Sequence, residues 1–137
     1  MTRPGVVLAV DVGTVRVGVA ASDPDRILAS PVETVAAPGH ARVAELARER
    51  AAVLVVVGLP TSLSGRSDSA SAQMARDWLD AFTARCDVAV QLVDERLTTV
   101  TATAALRASG KRGQAARKVV DQAAAVALLQ GFLERAR

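Results

Sequence analysis

The fold is decided by the stretch 6–23, which reads VVLAVDVGTVRVGVAASD. A run of small and β-branched apolar residues starts at Val6, the pair Gly13-Thr14 follows it, and a second apolar run spans residues 15–21. Two short apolar runs separated by a glycine turn predict a β-hairpin whose strands are mostly buried.

The first of these runs contains a carboxylate, Asp11. Isolated charges in a low-dielectric interior are unfavourable, so Asp11 needs a hydrogen-bond network, a protein cation or a bound metal as its partner. Gly13 removes a side chain just beyond it, which lets a phosphate or another backbone approach closely. A purely structural aspartate that accepts turn hydrogen bonds remains an alternative at this point.

Composition narrows the class of protein. The 137 residues predict a single domain over residues 1–137, and a chain that is 50% hydrophobic with two Phe, one Trp and no Tyr suits a compact α/β core. So few aromatic residues argue against base stacking as the main source of nucleic-acid affinity. The net charge of +3 fits a polyanionic partner. A single cysteine excludes an intrachain disulfide and a cysteine zinc site, and the absence of a membrane span or signal segment predicts a cytoplasmic protein.

The rest of the chain alternates strands and helices. The predicted elements are a third strand at 27–35 with Pro31 marking a sheet edge, a helix at 40–50, a central parallel strand at 52–57, a helix from Ser67 or Asp68 to about residue 85, a strand at 88–93, a helix at 100–108, a basic loop at 111–118 and a final helix to about residue 135. This order predicts one mixed five-stranded sheet with helices on its faces.

Two further acids are placed where acids are unusual. Asp94 and Glu95 end the last strand and point to opposite sides of the sheet, so only one of them can share a site with Asp11; Glu95 is preferred because its side chain is longer. Asp121 lies near the middle of an apolar helical stripe. That stripe consists of Val120, Ala124, Ala125, Leu128, Leu129 and Phe132. A structural alternative pairs Asp121 with Arg16 or Arg96.

Carboxylates from separate parts of a chain repel one another unless a cation offsets their charge. Oxygen ligands without histidine or cysteine favour Mg²⁺ or Mn²⁺ over zinc. The only histidine, His40, has no companions for a metal site. The three acids Asp11, Glu95 and Asp121 therefore predict a site for hard divalent cations that can support phosphodiester cleavage.

The chain resembles the RuvX (YqgF) family of RuvC-like nucleases. The matching segments are VDVGTVRVGVAASD (10–23), VVGLPTSLSGR (56–66), VDERLTT (93–99) and KVVDQAAAVALLQGFL (118–133). The resemblance implies a ribonuclease H-like fold whose first three strands are antiparallel and whose last two are parallel. It also implies Asp11, Glu95 and Asp121 as the acidic trio, and activity on pre-16S ribosomal RNA or on Holliday junctions. RuvC itself has a fourth acid one helical turn before the last, where this chain has Lys118.

Two alternative functions remain open. Asp11-Val12-Gly13-Thr14 is also similar to the phosphate loop of sugar kinases and actin-like ATPases, but these enclose nucleotide between two domains and carry a second glycine-rich loop. An RNA-binding or ribosome-assembly factor without activity is the other, and it predicts loss of an acid from the trio.

The segment from residue 97 to residue 120 carries five cations and no acid. Cations beside a carboxylate site can hold the phosphate backbone on either side of the scissile bond. The residues expected to contact nucleic acid are Arg16, Arg96, Thr98, Lys111, Arg112, Arg117 and Lys118. The expected partners are structured RNA or branched DNA, without membrane contact, and a homodimer is left open.

Overall fold

The computed structural model of the protein describes residues 5–59, 70–94 and 113–136, excluding the side chains of residues 71 and 113–121. Its strands are β1 Val6–Val12, β2 Arg16–Ser22, β3 Ala29–Ala36, β4 Ala52–Leu59 and β5 Ala89–Asp94. Its helices are α1 His40–Glu49, α2 Ala70–Thr83 and α3 Gly113–Arg135. None of the helices in these ranges is long and apolar enough to cross a membrane.

The strands form one mixed sheet in the order β3-β2-β1-β4-β5. β2 is antiparallel to both β1 and β3, whereas β4 is parallel to both β1 and β5. The central position of β1 explains its sequence, because the consecutive residues 7–10 are fully buried and need cover on both faces. The predicted sheet is confirmed, and so is the edge position of β3, which contains Pro31.

Alternate residues of the strands face two separate cores. On the first face, β-strand residues such as Leu8 and Val10 pack against α1 and α2, including Trp78 and Phe82. On the second face, the core consists of Val7, Ala9, Ala20, Ala29, Val56, Val93, Ala125, Leu128, Leu129 and Leu133. The second face is therefore the one that α3 covers, and it matters for the site described below.

The third strand starts later than predicted. It begins at Ala29 rather than at residue 27, because the Asp23 carboxylate accepts hydrogen bonds from the backbone N–H groups of Ile27 and Leu28, both at 2.8 Å. These N–H groups are held in the turn instead of the sheet, and both side chains are exposed. An aspartate side chain that competes for backbone donors typically ends regular pairing in this way.

The final helix starts earlier than predicted. Residues 113–118 are the first turns of α3 and not a basic loop, so Arg117 and Lys118 are helical. The sequence Gln-Ala-Ala-Arg-Lys at 114–118 consists of good helix formers, and this propensity outweighs the local charge. The predicted helix at 100–108 lies outside the described residues, as does the predicted start of the second helix at Ser67 or Asp68.

Candidate active site

Asp11 lies near the carboxyl end of the central strand β1 and is half-buried. Val7 and Ala9 belong to the second core, and strand alternation places Asp11 on the same face. The acid therefore lies on the side of the sheet that α3 covers. It directly follows the buried part of the strand, close to the point where β1 ends.

A row of residues runs across the sheet from Asp11. Asp11 is directly opposite Gly18 of β2, and Gly18 is opposite Thr34 of β3. Because Gly18 has no side chain, α3 can pack closely over β2 at this row, where Gly18 is buried.

Helix α3 crosses the sheet at this row. The Gln122 side-chain Nε2 donates a 2.9 Å hydrogen bond to Thr34 Oγ1, which ties one turn of α3 to the row that contains Asp11. Further along, Gln130 Nε2 donates to the Ile27 carbonyl at 3.1 Å, and its Oε1 accepts from the Ala29 N–H at 2.9 Å. The two glutamines fix the helix along β3 in an antiparallel direction.

The predicted acid on α3 is adjacent to the first of these contacts. Position 121 precedes Gln122 and is four residues before Ala125, which is fully buried against the sheet. Residues four apart share one helical face. The backbone thus carries Asp121 over the row of Asp11, while its side chain is not among those described.

Of the two neighbouring acids, only Asp94 lies within the described residues. Val93 belongs to the second core, whereas Leu92 packs against the first, so alternation assigns Asp94 to the first face, away from Asp11. The preference for Glu95 over Asp94 stays a prediction. Glu95 itself lies outside the described residues, together with Arg96, Thr98, Lys111 and Arg112.

The predicted cation Arg16 begins β2, next to the turn that follows Asp11. It shares the parity of Gly18, so it lies on the second face and diagonal to Asp11, within reach of a long side chain. The turn is closed by a 2.9 Å hydrogen bond from the Gly13 N–H to the Arg16 carbonyl. A Cβ on Gly13 would lie 2.5 Å from that oxygen, so only glycine fits here. Of the predicted cations on α3, Arg117 and Lys118 are described by their backbone alone.

Within the described part of the chain, no group of three His, Cys, Asp or Glu residues is close enough to hold an ion. Glu95 and the side chain of Asp121 lie outside that part. The donor chemistry fits, because Asp11 offers oxygen and neither histidine nor cysteine is near it on the second face.

Sequence reasoning missed Thr34 and Gln122. Neither is charged, and neither interrupts an apolar run, so nothing in the local pattern distinguished them. The signal available was the position of Gln122 itself, a second polar residue directly after Asp121 on a helix that packs against the sheet. Their contact joins residues 88 positions apart in sequence, which no local pattern reports.

The strand order and the helices on both faces define a class, the ribonuclease H-like fold with the RuvC arrangement. The structure superimposes on that of Thermus thermophilus RuvC in complex with Holliday junction substrate with a TM-score of 0.60, covering 96% of each chain at 19% identity. A second T. thermophilus RuvC structure gives a TM-score of 0.57 at 17% identity. These likenesses establish the fold.

The family follows from sequence. The chain belongs to the RuvX family of nucleases, whose profile, described as "Holliday junction resolvase", matches residues 5–135. It is 51% identical to a protein of Nocardia farcinica over 93% of this chain and 76% of that protein, which is named "Putative pre-16S rRNA nuclease". A protein of Streptomyces coelicolor with the same name is 50% identical over 98% of this chain and 83% of its own length. RuvC-like nucleases are typically metal-dependent and act on nucleic acid.

Proposed function

We propose that this RuvX-family chain is a cytoplasmic metal-dependent endonuclease that processes pre-16S ribosomal RNA, with Asp11, Glu95 and Asp121 as its acidic residues. The observation that carries the proposal is the Thr34–Gln122 hydrogen bond, which holds the turn of α3 containing position 121 over the row of Asp11. Because Asp11 lies on the face that α3 covers, this contact supports a site that the two acids share. The names of relatives at about 50% identity support RNA as the substrate.

The three carboxylates would hold Mg²⁺ or Mn²⁺, because hard oxygen donors prefer hard cations. When bound, the metal supplies Lewis-acid activation of the phosphodiester and of the attacking water. The protein positions these groups on rigid elements, with Asp11 on the central strand and Asp121 on a helix docked to the sheet. Rigid placement of this kind is what in-line attack on phosphorus requires.

The surroundings of Asp11 suit a phosphate backbone. Gly13 closes the turn directly after the acid, and Arg16 lies on the same face as Asp11. An arginine guanidinium can donate two parallel hydrogen bonds to phosphate oxygens. Arg16 would thus orient the strand that Asp11 acts upon.

The amino end of α3 contributes a second positive region. The first turn of this helix contains no acid, although acids are favoured there, and two cations follow at Arg117 and Lys118. Cations close to the positive end of a helix are unfavourable by themselves. A bound phosphate offsets both the helix dipole and these charges.

Measuring the nuclease activity of the Asp11→Asn variant tests the proposal. We expect the variant to remain folded and to lose activity by at least about 100-fold, since loss of even an outer-shell group at a metal site costs roughly 10- to 100-fold. Activity should be measured with Mg²⁺ and with excess chelator, on an RNA that spans the pre-16S 5′ end and on a four-way DNA junction. Asp25→Asn, an exposed carboxylate at the opposite end of the strands, serves as the matched control.

Near-normal turnover by Asp11→Asn would remove this residue from the site, and cleavage in excess chelator would exclude the metal mechanism. Preference for the junction over the RNA would support the second candidate function, Holliday junction resolution, which the family description and the RuvC fold favour.

A further inference from the structure

A pocket of about 340 Å³ opens on the first face, beside the end of β1. Its lining includes Val12 and Thr14 after Asp11, Pro38 and His40 at the start of α1, and Asp77 and Trp78 on α2. Val12 directly follows Asp11 and faces the opposite side of the sheet, and consecutive Cα atoms are about 3.8 Å apart. The pocket and the candidate active site therefore lie at the same end of β1, on opposite faces of the sheet.

His40 is the group in this pocket whose hydrogen bonding is incomplete. Its Nε2 is buried and has no hydrogen-bond partner within the described part of the chain. Burial, and to a lesser degree the charge of Arg85, lower the pKa of His40, so the imidazole is neutral near pH 7. A neutral imidazole has one donor and one acceptor nitrogen, and a buried polar atom without a partner is unfavourable. Because His40 lines the pocket, a ligand held there would change the surroundings of the imidazole.

The charges at the pocket select the chemistry of the ligand. Asp77 lines it with an exposed carboxylate, one oxygen of which accepts a 2.9 Å hydrogen bond from Gln73 Nε2. A carboxylate repels phosphate, so the pocket is unsuited to the backbone of a nucleic acid. Carboxylate and imidazole together suit a neutral heterocycle that presents N–H groups, as nucleobases do along their Watson–Crick edges.

The wall of the pocket is rigid and apolar. Trp78 is 3% exposed and stacks on Phe82 with ring centroids 5.1 Å apart, while its indole N–H donates to the Pro38 carbonyl. The centroid of the His40 ring lies 5.1 Å from that of the indole, with an angle of 40° between the planes. These contacts hold Trp78 in place, so the apolar wall is preorganised for a flat ring.

We propose that this pocket binds a nucleobase swung out of the substrate strand next to the scissile phosphate. The proposal rests on the proposed nuclease function, since it assigns the pocket to a nucleotide flanking the one at Asp11. A nucleic-acid strand that passes the carboxyl end of β1 at Gly13 would place its phosphate on the second face of the sheet and the neighbouring base on the first face. Single-stranded RNA is commonly recognised through bases splayed in this manner.

The chain is suited to a direct test because it contains one histidine. The intact protein, labelled with ¹⁵N-histidine and kept in chelator to prevent cleavage, is titrated with a short single-stranded RNA. The matched probe is the same ribose-phosphate chain without bases. We expect the base-bearing RNA to shift the Nε2 resonance of His40 and the chain without bases to bind without shifting it.

A variant pair provides the second measurement. Asp77→Asn should weaken binding of the base-bearing RNA by roughly three- to tenfold, the loss of about one hydrogen bond, without affecting the chain that lacks bases. Asp80→Asn, an exposed carboxylate one turn further along α2, should change neither. Asp77 is exposed, so its substitution leaves the core intact.

The outcomes separate the two proposals. Binding of both probes with an unmoved His40 resonance would overturn the base pocket and leave the nuclease proposal standing. A shift caused equally by both probes would mean that the backbone enters the pocket, which also overturns the base assignment. Failure of both probes to bind would contradict the nuclease function, and the base pocket with it.

Discussion

His40 links the packing of the first core to the solution pH. Its ring lies against Trp78, and burial lowers its pKa below the ordinary value of 6.5, with a smaller contribution from Arg85. The folded state thus holds the neutral imidazole, whereas the unfolded chain takes up a proton at about its ordinary pKa. Below pH 6.5 the unfolded state binds more protons than the folded state, so protonation favours unfolding.

We predict that the free energy of unfolding decreases as the pH falls from 6.5 towards the folded pKa of His40, and that this component is constant below it. Melting temperatures of the natural chain and of His40→Gln, compared at about pH 7.5 and about pH 5.5, test the prediction, and Gln should reduce the difference. Glu33 does not interfere, because its pKa is lowered from 4.5 and its contribution is lost only below that value. Equal differences in both proteins would contradict this role.

Single residues differ in how far the sequence alone predicted their place. Asp11 was predictable because one charge inside a buried strand conflicts with its surroundings. The roles of Thr34 and Gln122 were not predictable, because a polar residue on a half-buried surface does not stand out in the local sequence. Their importance comes from a contact across 88 positions.

Among the elements, a bidentate ion pair joins α1 to the edge strand β3. Arg42 Nε and Nη2 each donate a 2.8 Å hydrogen bond to one of the Glu33 carboxylate oxygens. The arginine hydrogen bonds and its charge hold the pKa of Glu33 below its usual range, against some desolvation. Glu45 and Glu49 lie near the same guanidinium, at 3.7 and 3.5 Å. The ion pair therefore anchors α1 to β3, an edge strand whose single strand neighbour is β2.

Replacing Arg42 by Lys should reduce the free energy of unfolding by less than about 1 kcal/mol, because lysine cannot form the fork and the pair is partly exposed to solvent. Urea titrations of Arg42→Lys, Glu33→Gln and the double variant give the coupling energy between the two residues. Arg48→Lys, an exposed arginine in the last turn of α1, is the matched control. Additive effects of Arg42→Lys and Glu33→Gln would show that the fork contributes nothing.

Element types were predictable where periodicity was strong. The buried run 55–57 of β4 and the mostly buried strands of the hairpin both follow from apolar patterns, and the structure confirms them. Element ends were less predictable. Asp23 ends pairing before β3 through side-chain hydrogen bonds, and helix propensity carries α3 back to Gly113 through residues whose charge suggested a loop.

On the scale of the whole molecule, the carboxyl ends of β1, β4 and β5 meet at one edge of the sheet, since these three strands are parallel. Topology therefore gathers Asp11 and Asp94 at a single edge, and α3 packs on the second face of the sheet. The fold class and this convergence were predictable from strand order and family resemblance. Which face each acid occupies depends on register and on how α3 docks, and only the structure supplies that for Asp11, Asp94 and position 121.

Charge is distributed unevenly along the chain. The segment from residue 97 to residue 120 has five cations and no acid, and its residues 113–120 are the first turns of α3. Arg48 and Arg50 are exposed at the carboxyl end of α1, just before Ala52, the first residue of β4. Removing two cations from each group in turn compares equal losses of charge at two locations.

If the first group holds phosphates, the affinity for nucleic acid should fall steeply as salt increases, through counterion release. Lys111→Ala combined with Arg112→Ala should make the slope of log affinity against log salt shallower by roughly one to two units. The loss should not depend on base sequence, because backbone contacts position the substrate without reading bases. Arg48→Ala combined with Arg50→Ala removes the same charge from the distant end and should leave the slope nearly unchanged. Fluorescence anisotropy over a series of salt concentrations measures both slopes. Equal changes in the two double variants would mean that overall charge governs binding, and an unchanged slope in the first would remove Lys111 and Arg112 from the nucleic-acid interface.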